Sequence, residues 1–386
     1  MIFGNHQRTD NSPKRNRERE YEFLNRSARP EMIRVRELIE SAAQNYPEEE
    51  IGELISRLQS NDDTHFRSSI FELFLHEVLL RMGCVLSPHP ELENGLSYRP
   101  DFLVRTPEGF EFYLEAVLAS EANEDDAGAE ARKGVVMDAL TSNPHHNFMV
   151  DIDDDGNPST QPSGKKLVRQ LHGWLDTLDP DEVIELIENQ GFDSVPRFSW
   201  SHEDWKVIFR PIPIKHERRG KSKTLIGIGS TGGGFVDAWS PIRDAVKYKG
   251  SKYGETEKAL LVAVNMDRFH LDRIDEMQAL FGQEQFVFKI GQVEAEPTFQ
   301  RAPNGAWYGK SGPQYTRVSG LWIFSDLSPY TIGRIHPTLY FNPWAAYELP
   351  EQLKSFEYAS PEEGKMVWSQ GATFAQIFEV NEDWPE

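Results

Sequence analysis

Three carboxylates stand in stretches where an ionised acid is costly. Asp101 follows Pro100 at the start of the apolar run PDFLVRT. Glu115 lies inside FYLEAVLA, which is apolar on both strand phases, and Glu72 lies inside the apolar helix pattern IFELFLHEVLL. An ionised carboxylate in such surroundings costs several kcal/mol unless a cation or hydrogen bonds accompany it. Oxygen donors of this kind suit a hard divalent cation, Mg²⁺ or Mn²⁺. A divalent ion on two carboxylates, with a cationic group near the attacking water, meets two requirements of metal-dependent phosphodiester hydrolysis. Plainer roles compete with this one: Asp101 as a turn residue after Pro100, Glu115 on an edge strand facing solvent, and Glu72 as the polar stripe of its helix with Ser69 and His76.

These residues must be positioned by a short run of elements. The spacing in EMIRVRELIESAAQNY and EEEIGELISRLQS predicts two helices. DDTHFRSSIFELFLHEVLLRMG predicts a third, capped at Asp62, Asp63 or Thr64, ended by Gly83 and central because it is apolar on most faces. After Gly83 the period changes. CVLSPHP, PDFLVRT and FEFYLEAVLAS read as strands, the last two joined by the turn TPEG. From about 120 to 240 the pattern is mixed: an acidic loop EANEDDAGAE, a helix over Lys133 to Leu140, strands at NFMVDI and WKVIFRPIPI, a helix in KKLVRQLHGWLDTL, and the Gly-rich GIGSTGGG. PIRDAVKYKGSKYG then reads as a helix, ALLVAVN as a buried strand and RVSGLWIF as another strand. The expected organisation is a mobile basic segment at 1–20, helices and the first strands at 21–119, an inserted subdomain at 120–240, a second half with further strands at 241–348, and a weakly structured acidic tail at 349–386.

The composition bounds the function. With 38% hydrophobic and 11% aromatic residues the chain is globular, and no apolar run approaches the ~20 residues of a membrane span. The polar, basic start is no secretory signal, and the lone Cys84 suits a reducing cytoplasm, where we expect the protein to act; Cys84 itself reads as core. A net charge of -21 argues against broad adhesion to DNA, but not against a local basic channel. Lys206, Arg210, Lys215, Arg218 and Arg219, with Lys221 and Lys223, form one candidate channel, and a solvated loop is the competing reading. GIGSTG lacks the helix that should open at its last glycine, and DIDDDGN has Pro162 at the twelfth place of a calcium loop, so a tight acidic turn is the better reading there.

The order of helix with Glu72, strand, PDF strand, turn, and strand with Glu115 and Ala116 resembles the core of the PD-(D/E)xK nuclease superfamily, the restriction-endonuclease-like fold. That core runs helix, three strands, helix, strand, and PIRDAVKYKGSKYG and ALLVAVN supply the last two elements if 120–240 is an insertion. The chain also resembles a group of mostly uncharacterised bacterial proteins through HPEL, PDFL, Lys249-x-x-Lys252-Tyr253-Gly254, VAVN and NPWA. The resemblance implies an α/β, restriction-endonuclease-like core with a large insertion and a C-terminal sheet extension. It implies Mg²⁺-dependent hydrolysis of DNA in defence or repair, with Asp101 and Glu115 on the metal and Glu72 assisting. The family's lysine position is held by Val117. In the superfamily that lysine can migrate to the following helix, which here carries Lys247, Lys249 and Lys252; Lys249 is the first choice and Lys252 the second, the latter also a candidate DNA contact. The alternative is a nuclease-fold protein without activity that serves as a nucleic-acid-binding or scaffold subunit. DNA is the expected partner, with room for a protein partner or a second copy and none for a membrane.

Overall fold

The computed structural model describes residues 1–119, 127–227, 239–266, 271–287 and 298–386. Most of the Gly-rich segment, 228–238, and the acidic loop at 120–126 lie outside them. The described chain is mixed α/β and divides into two compact units: Met1–Ser12, Arg19–Glu121 and Asp237–Glu386 form the first, and Pro13–Glu18 with Ala122–Val236 the second.

The first unit opens with helices α1 (Glu20–Arg26), α2 (Pro30–Gln44), α3 (Ile51–Leu58) and α4 (Asp63–Arg81), followed by strands β1 (Val85–Pro88), β2 (Phe102–Arg105) and β3 (Glu111–Ala119). The second unit contains α5 (Ala127–Thr141), β4 (Phe148–Asp155), α6 (Gly164–Leu175), α7 (Pro180–Gln190), β5 (Phe198–His202) and β6 (Trp205–Pro213). The chain then returns to the first unit through α8 (Trp239–Lys252), β7 (Ala259–Met266), α9 (Arg273–Phe281), and the short strands β8 (Glu284–Val287), β9 (Thr298–Arg301), β10 (Tyr308–Gly309) and β11 (Gly312–Pro313). It closes with β12 (Val318–Ser325), β13 (Thr338–Phe341), β14 (Tyr358–Glu362), β15 (Lys365–Ser369) and α10 (Phe374–Phe378).

The main sheet of the first unit has the order β1-β2-β3-β7-β12-β13-β14-β15 among the described residues. β1, β2 and β3 form an antiparallel meander; β3, β7 and β12 are parallel to one another. Parallel neighbours need a crossover, and the connection from β3 to β7 ends in α8. Every residue of β7 is buried. Its alternate side chains divide between two cores: Ala259, Leu261 and Ala263 pack with α2, α3 and α4 on one face, Leu260, Val262 and Val264 with α8 and α9 on the other. A strand covered on both sides has no use for polar alternation, which is why ALLVAVN reads as a continuous apolar run.

Local chemistry sets the boundaries that matter for the site. The Asp62 side chain accepts the Thr64 amide at 2.8 Å and starts α4. Gly83, with φ +84°, ends it. Gly250 serves a different purpose: a Cβ there would stand 2.9 Å from Tyr315 and 3.0 Å from Val318, so only glycine lets α8 settle this closely on the sheet.

Two terminal expectations are corrected. The first residues are tied down rather than mobile, because Ile2 and Phe3 are buried and their amides donate to Glu40 at 2.7 and 2.9 Å. The acidic tail is structured. β14 and β15 pair with each other, β14 also pairs with β13, and Phe356, Phe374 and Phe378 are buried among themselves, Trp322 and Phe324. Three buried aromatic rings outweigh the tail's negative charge.

In the second unit β4, β6 and β5 form an antiparallel sheet, and Leu167, Leu171 and Leu175 of α6 pack with Phe148, Trp205 and Phe209. DIDDDGN is the end of β4 followed by a turn at Gly156, with Asp154 bonded to Trp205 Nε1 at 2.7 Å and paired with Lys133 at 3.0 Å.

Candidate functional site

Phe102 pairs with Leu114 in the β2–β3 register, so the next step sets Asp101 opposite Glu115. Cross-strand partners share a face. That face is the one covered by α8, since the odd-numbered Tyr113, Val117 and Ala119 of β3 pack into the same cluster as Ile242 and Val246. The Ala116 amide donates to Asp101 Oδ2 at 2.7 Å and holds the carboxylate against β3.

The cationic groups come from α8. Lys249 Nζ donates to Glu115 Oε1, Tyr253 OH donates to Glu115 Oε2, and Lys252 Nζ stands 3.8 Å from Oε1. One turn of helix separates Lys249 from Tyr253, so both point at the same strand residue. Glu115 is 1% exposed, and these partners account for its burial. Val117 occupies the strand position two residues on, half-buried in the apolar cluster under α8.

Electrostatics inside this pair are uneven. Asp101 is raised from its ordinary value to about 7, first by burial and then by the negative charges of Glu115 and, more weakly, Glu72, with the Ala116 amide and Lys249 opposing. The Tyr253 phenol is raised as well, by burial and by Glu115.

Glu72 lies on the opposite face of the sheet, where α4 packs. Its Oε1 accepts from Tyr46 OH at 2.5 Å and its Oε2 from Arg57 NH2 at 2.7 Å. Among the described residues no three carboxylate, histidine or cysteine side chains gather as a metal-holding group, so Glu72 does not complete a ligand set with Asp101 and Glu115. It anchors an adjoining cluster instead: Tyr46 lies edge-on to Phe102 with ring centroids 6.3 Å apart, and His76 stacks obliquely on both rings. Burial holds the His76 imidazole neutral, pushed down to about 4. Cys84 is buried in the same core, and burial pushes its thiol up to about 11, so it is no nucleophile.

The basic stretch belongs to the second unit. Arg210 is buried against Asp151, with Nε and NH2 at 2.8 and 2.5 Å from the same oxygen, and Arg219 pairs with Asp181. Two of its cations thus neutralise carboxylates of their own unit. Lys206, Lys215 and Arg218 are exposed.

The partners of these carboxylates that sequence reasoning did not name as such are Tyr253, Tyr46 and Arg57. Tyr253 carried a signal, its one-turn spacing from Lys249. Tyr46 and Arg57 meet Glu72 only because α2 and α3 pack on α4. Compared with known proteins, the chain matches no family model, no curated protein and no solved structure.

Proposed function

We propose that this chain is a metal-dependent DNA endonuclease with a restriction-endonuclease-like core, formed by α4, β1–β3, α8 and β7. The observation that carries the reading is the bond from Lys249, on the crossover helix, to Glu115 beside Asp101. It puts an amine where the strand supplies only Val117.

Asp101 and Glu115 fit a divalent ion. Mg²⁺ is commonly bound through one or two carboxylates, with waters and substrate phosphate filling the remaining positions. The burial and the carboxylate repulsion that raise Asp101 are what such an ion would offset. When bound, the ion would supply charge neutralisation and polarisation of the phosphodiester. The protein's own groups have distinct tasks. Lys249 orients the attacking water and stabilises charge developing on phosphate. Tyr253 and the Ala116 amide fix the two carboxylates, and Glu72, with Tyr46 and Arg57, stiffens the neighbouring wall. Hydrolysis forms a bond from water oxygen to phosphorus and breaks the bond to the 3′ oxygen, leaving a 5′ phosphate and a 3′ hydroxyl. Formally, Asp101 and Glu115 are balanced by Lys249 and Lys252, so an added divalent ion leaves positive charge that the phosphates of DNA would offset, and metal and DNA should bind cooperatively.

A second reading, a nuclease fold that binds without cutting, is favoured by one feature: both Glu115 oxygens are already bonded within the protein. Cleavage of supercoiled plasmid with Mg²⁺ or Mn²⁺ separates the two. Cutting that Asp101→Ala abolishes supports the endonuclease; no cutting by wild type, with no metal-induced rise in melting temperature even when DNA is present, leaves the inactive reading.

A further inference from the structure

Large aromatic side chains in this protein are mostly buried, yet two tyrosines beside the site are open to solvent. Tyr98 is 52% exposed, on the loop that leads into Pro100 and Asp101, and Tyr248 is 65% exposed, on α8 next to Lys249. Each is matched to a site lysine. Lys252 Nζ lies 5.7 Å from the centroid of the Tyr98 ring, and Lys249 Nζ lies 5.8 Å from that of Tyr248. Both ammonium groups reach the same oxygen of Glu115. The two rings therefore stand one lysine side chain away from the carboxylate pair, on separate chain segments. Exposed Arg99, paired with Glu91 at 2.8 Å, adjoins Tyr98, and half-buried Lys247 adjoins Tyr248.

Exposed rings interleaved with cations are what an unpaired strand needs, because every base has a face to stack and every phosphate a charge to neutralise. A duplex gains little from them, since its bases are already stacked and paired. The surroundings also disfavour a second strand. Just beyond Tyr253 is a hollow of about 320 Å³, lined by Glu93, Glu255 and Glu257 with Leu92, Asn94, Tyr113, Thr256 and Tyr347. Asn94 ties it to the end of α8, donating to the main-chain oxygens of Tyr253 and Glu255 at 2.8 and 2.7 Å. Lys258 bonds Glu93 at 2.5 Å, but Glu255 and Glu257 keep the rim negative. Duplex binding depends on a wide positive face, and on this side carboxylates interrupt the cations.

We infer that the site takes single-stranded DNA, or a single-stranded segment within a duplex, with bases stacked on Tyr98 and Tyr248 on either side of a phosphate met by Lys249 and Lys252 beside Asp101 and Glu115. This rests on the reading of the site as one that meets DNA. It narrows the substrate to an unpaired strand.

The test is fluorescence anisotropy with a labelled mixed-sequence single strand and the corresponding duplex, in chelator so that nothing is cut, using full-length wild type, Tyr98→Ala, Tyr248→Ala and the two Tyr→Phe variants. The expected result is single-strand binding at least tenfold tighter than duplex binding. Each alanine should weaken single-strand binding by roughly 5- to 150-fold, the equivalent of ~1–3 kcal/mol per stacked base, while the phenylalanine variants retain it. Equal affinity for both forms, or alanine variants that bind the single strand like wild type, overturns the inference. Parallel cleavage with Mg²⁺ separates it from the endonuclease reading. Duplex cutting untouched by the tyrosine substitutions would sink the inference and leave the endonuclease standing. Stacking-dependent binding without cleavage of either form would do the reverse.

Discussion

Replacing Lys249 by methionine keeps the length and the apolar stem of the side chain and removes only the charge. Glu115 would then remain almost fully buried with Tyr253 OH on one oxygen and Lys252 at 3.8 Å from the other. Breaking a buried ion pair by removing one partner costs about 3–5 kcal/mol. Lys252 remains, with an attraction at that distance on the order of 4 kcal/mol before solvation costs at an effective dielectric of about 20, so Glu115 is not left wholly unpaired and the cost falls below that of a fully broken pair. A net destabilisation of roughly 2–3 kcal/mol is expected, read as a lower urea midpoint for the transition of the first unit. Catalysis should fall by about 10²–10³-fold, the effect of removing one donor aimed at developing charge. The double variant Lys249→Met with Glu115→Gln distinguishes the two contributions. It leaves no unpaired buried charge, so stability should return to within about 1 kcal/mol of wild type, while activity stays lost. A Lys249→Met protein as stable as wild type, or a double variant less stable than either single, would refute the argument that Glu115 is held by this lysine.

Glu276 on α9 is raised to about 7 by burial, with the Tyr340 hydroxyl, at 2.5 Å, and Arg273 opposing. A raised folded pKa means stability present at low pH and lost as pH rises from the ordinary carboxylate range towards 7, so Glu276→Gln should be more stable than wild type at pH 8 by about 1–3 kcal/mol and show no advantage near pH 4, by urea unfolding at both. Removing residues 350–386 uncovers Trp322 and Phe324 and deletes three buried phenylalanines; loss of cooperative unfolding of the first unit is expected, monitored by tryptophan fluorescence.

What the sequence disclosed was local. Asp101 and Glu115 were readable because a short turn joins the two strands and the register follows from the turn. Apolar flanks on both phases marked Glu115 as buried before any partner was known. Lys249 could be picked from three lysines only by helical spacing, and the reason α8 comes close enough is Gly250, whose role depends on Tyr315 and Val318 far along the chain. The partners of Glu72 were hidden for the same reason: Tyr46 and Arg57 reach it across helix–helix packing that no spacing rule encodes. α7 was passed over although Asp179 and Pro180 are ordinary start signals, because its sparse apolar positions lie among many acids. In the tail the rings, not the carboxylates, decide the structure.

β3 and β7 lie side by side, yet the second unit is threaded between them. The carboxylates are therefore synthesised long before the lysines that hold them. A growing chain that has released only β3 carries Asp101 and Glu115 with neither α8 nor the strand that completes their support, and cannot assemble the site. The pairing of β3 with β7 closes a long loop, and that closure carries an entropic cost before the contacts repay it. A carboxylate–lysine cluster divided in this way is incomplete during translation. It is complete only when the interposed unit has been made and the chain has returned to the strand it left.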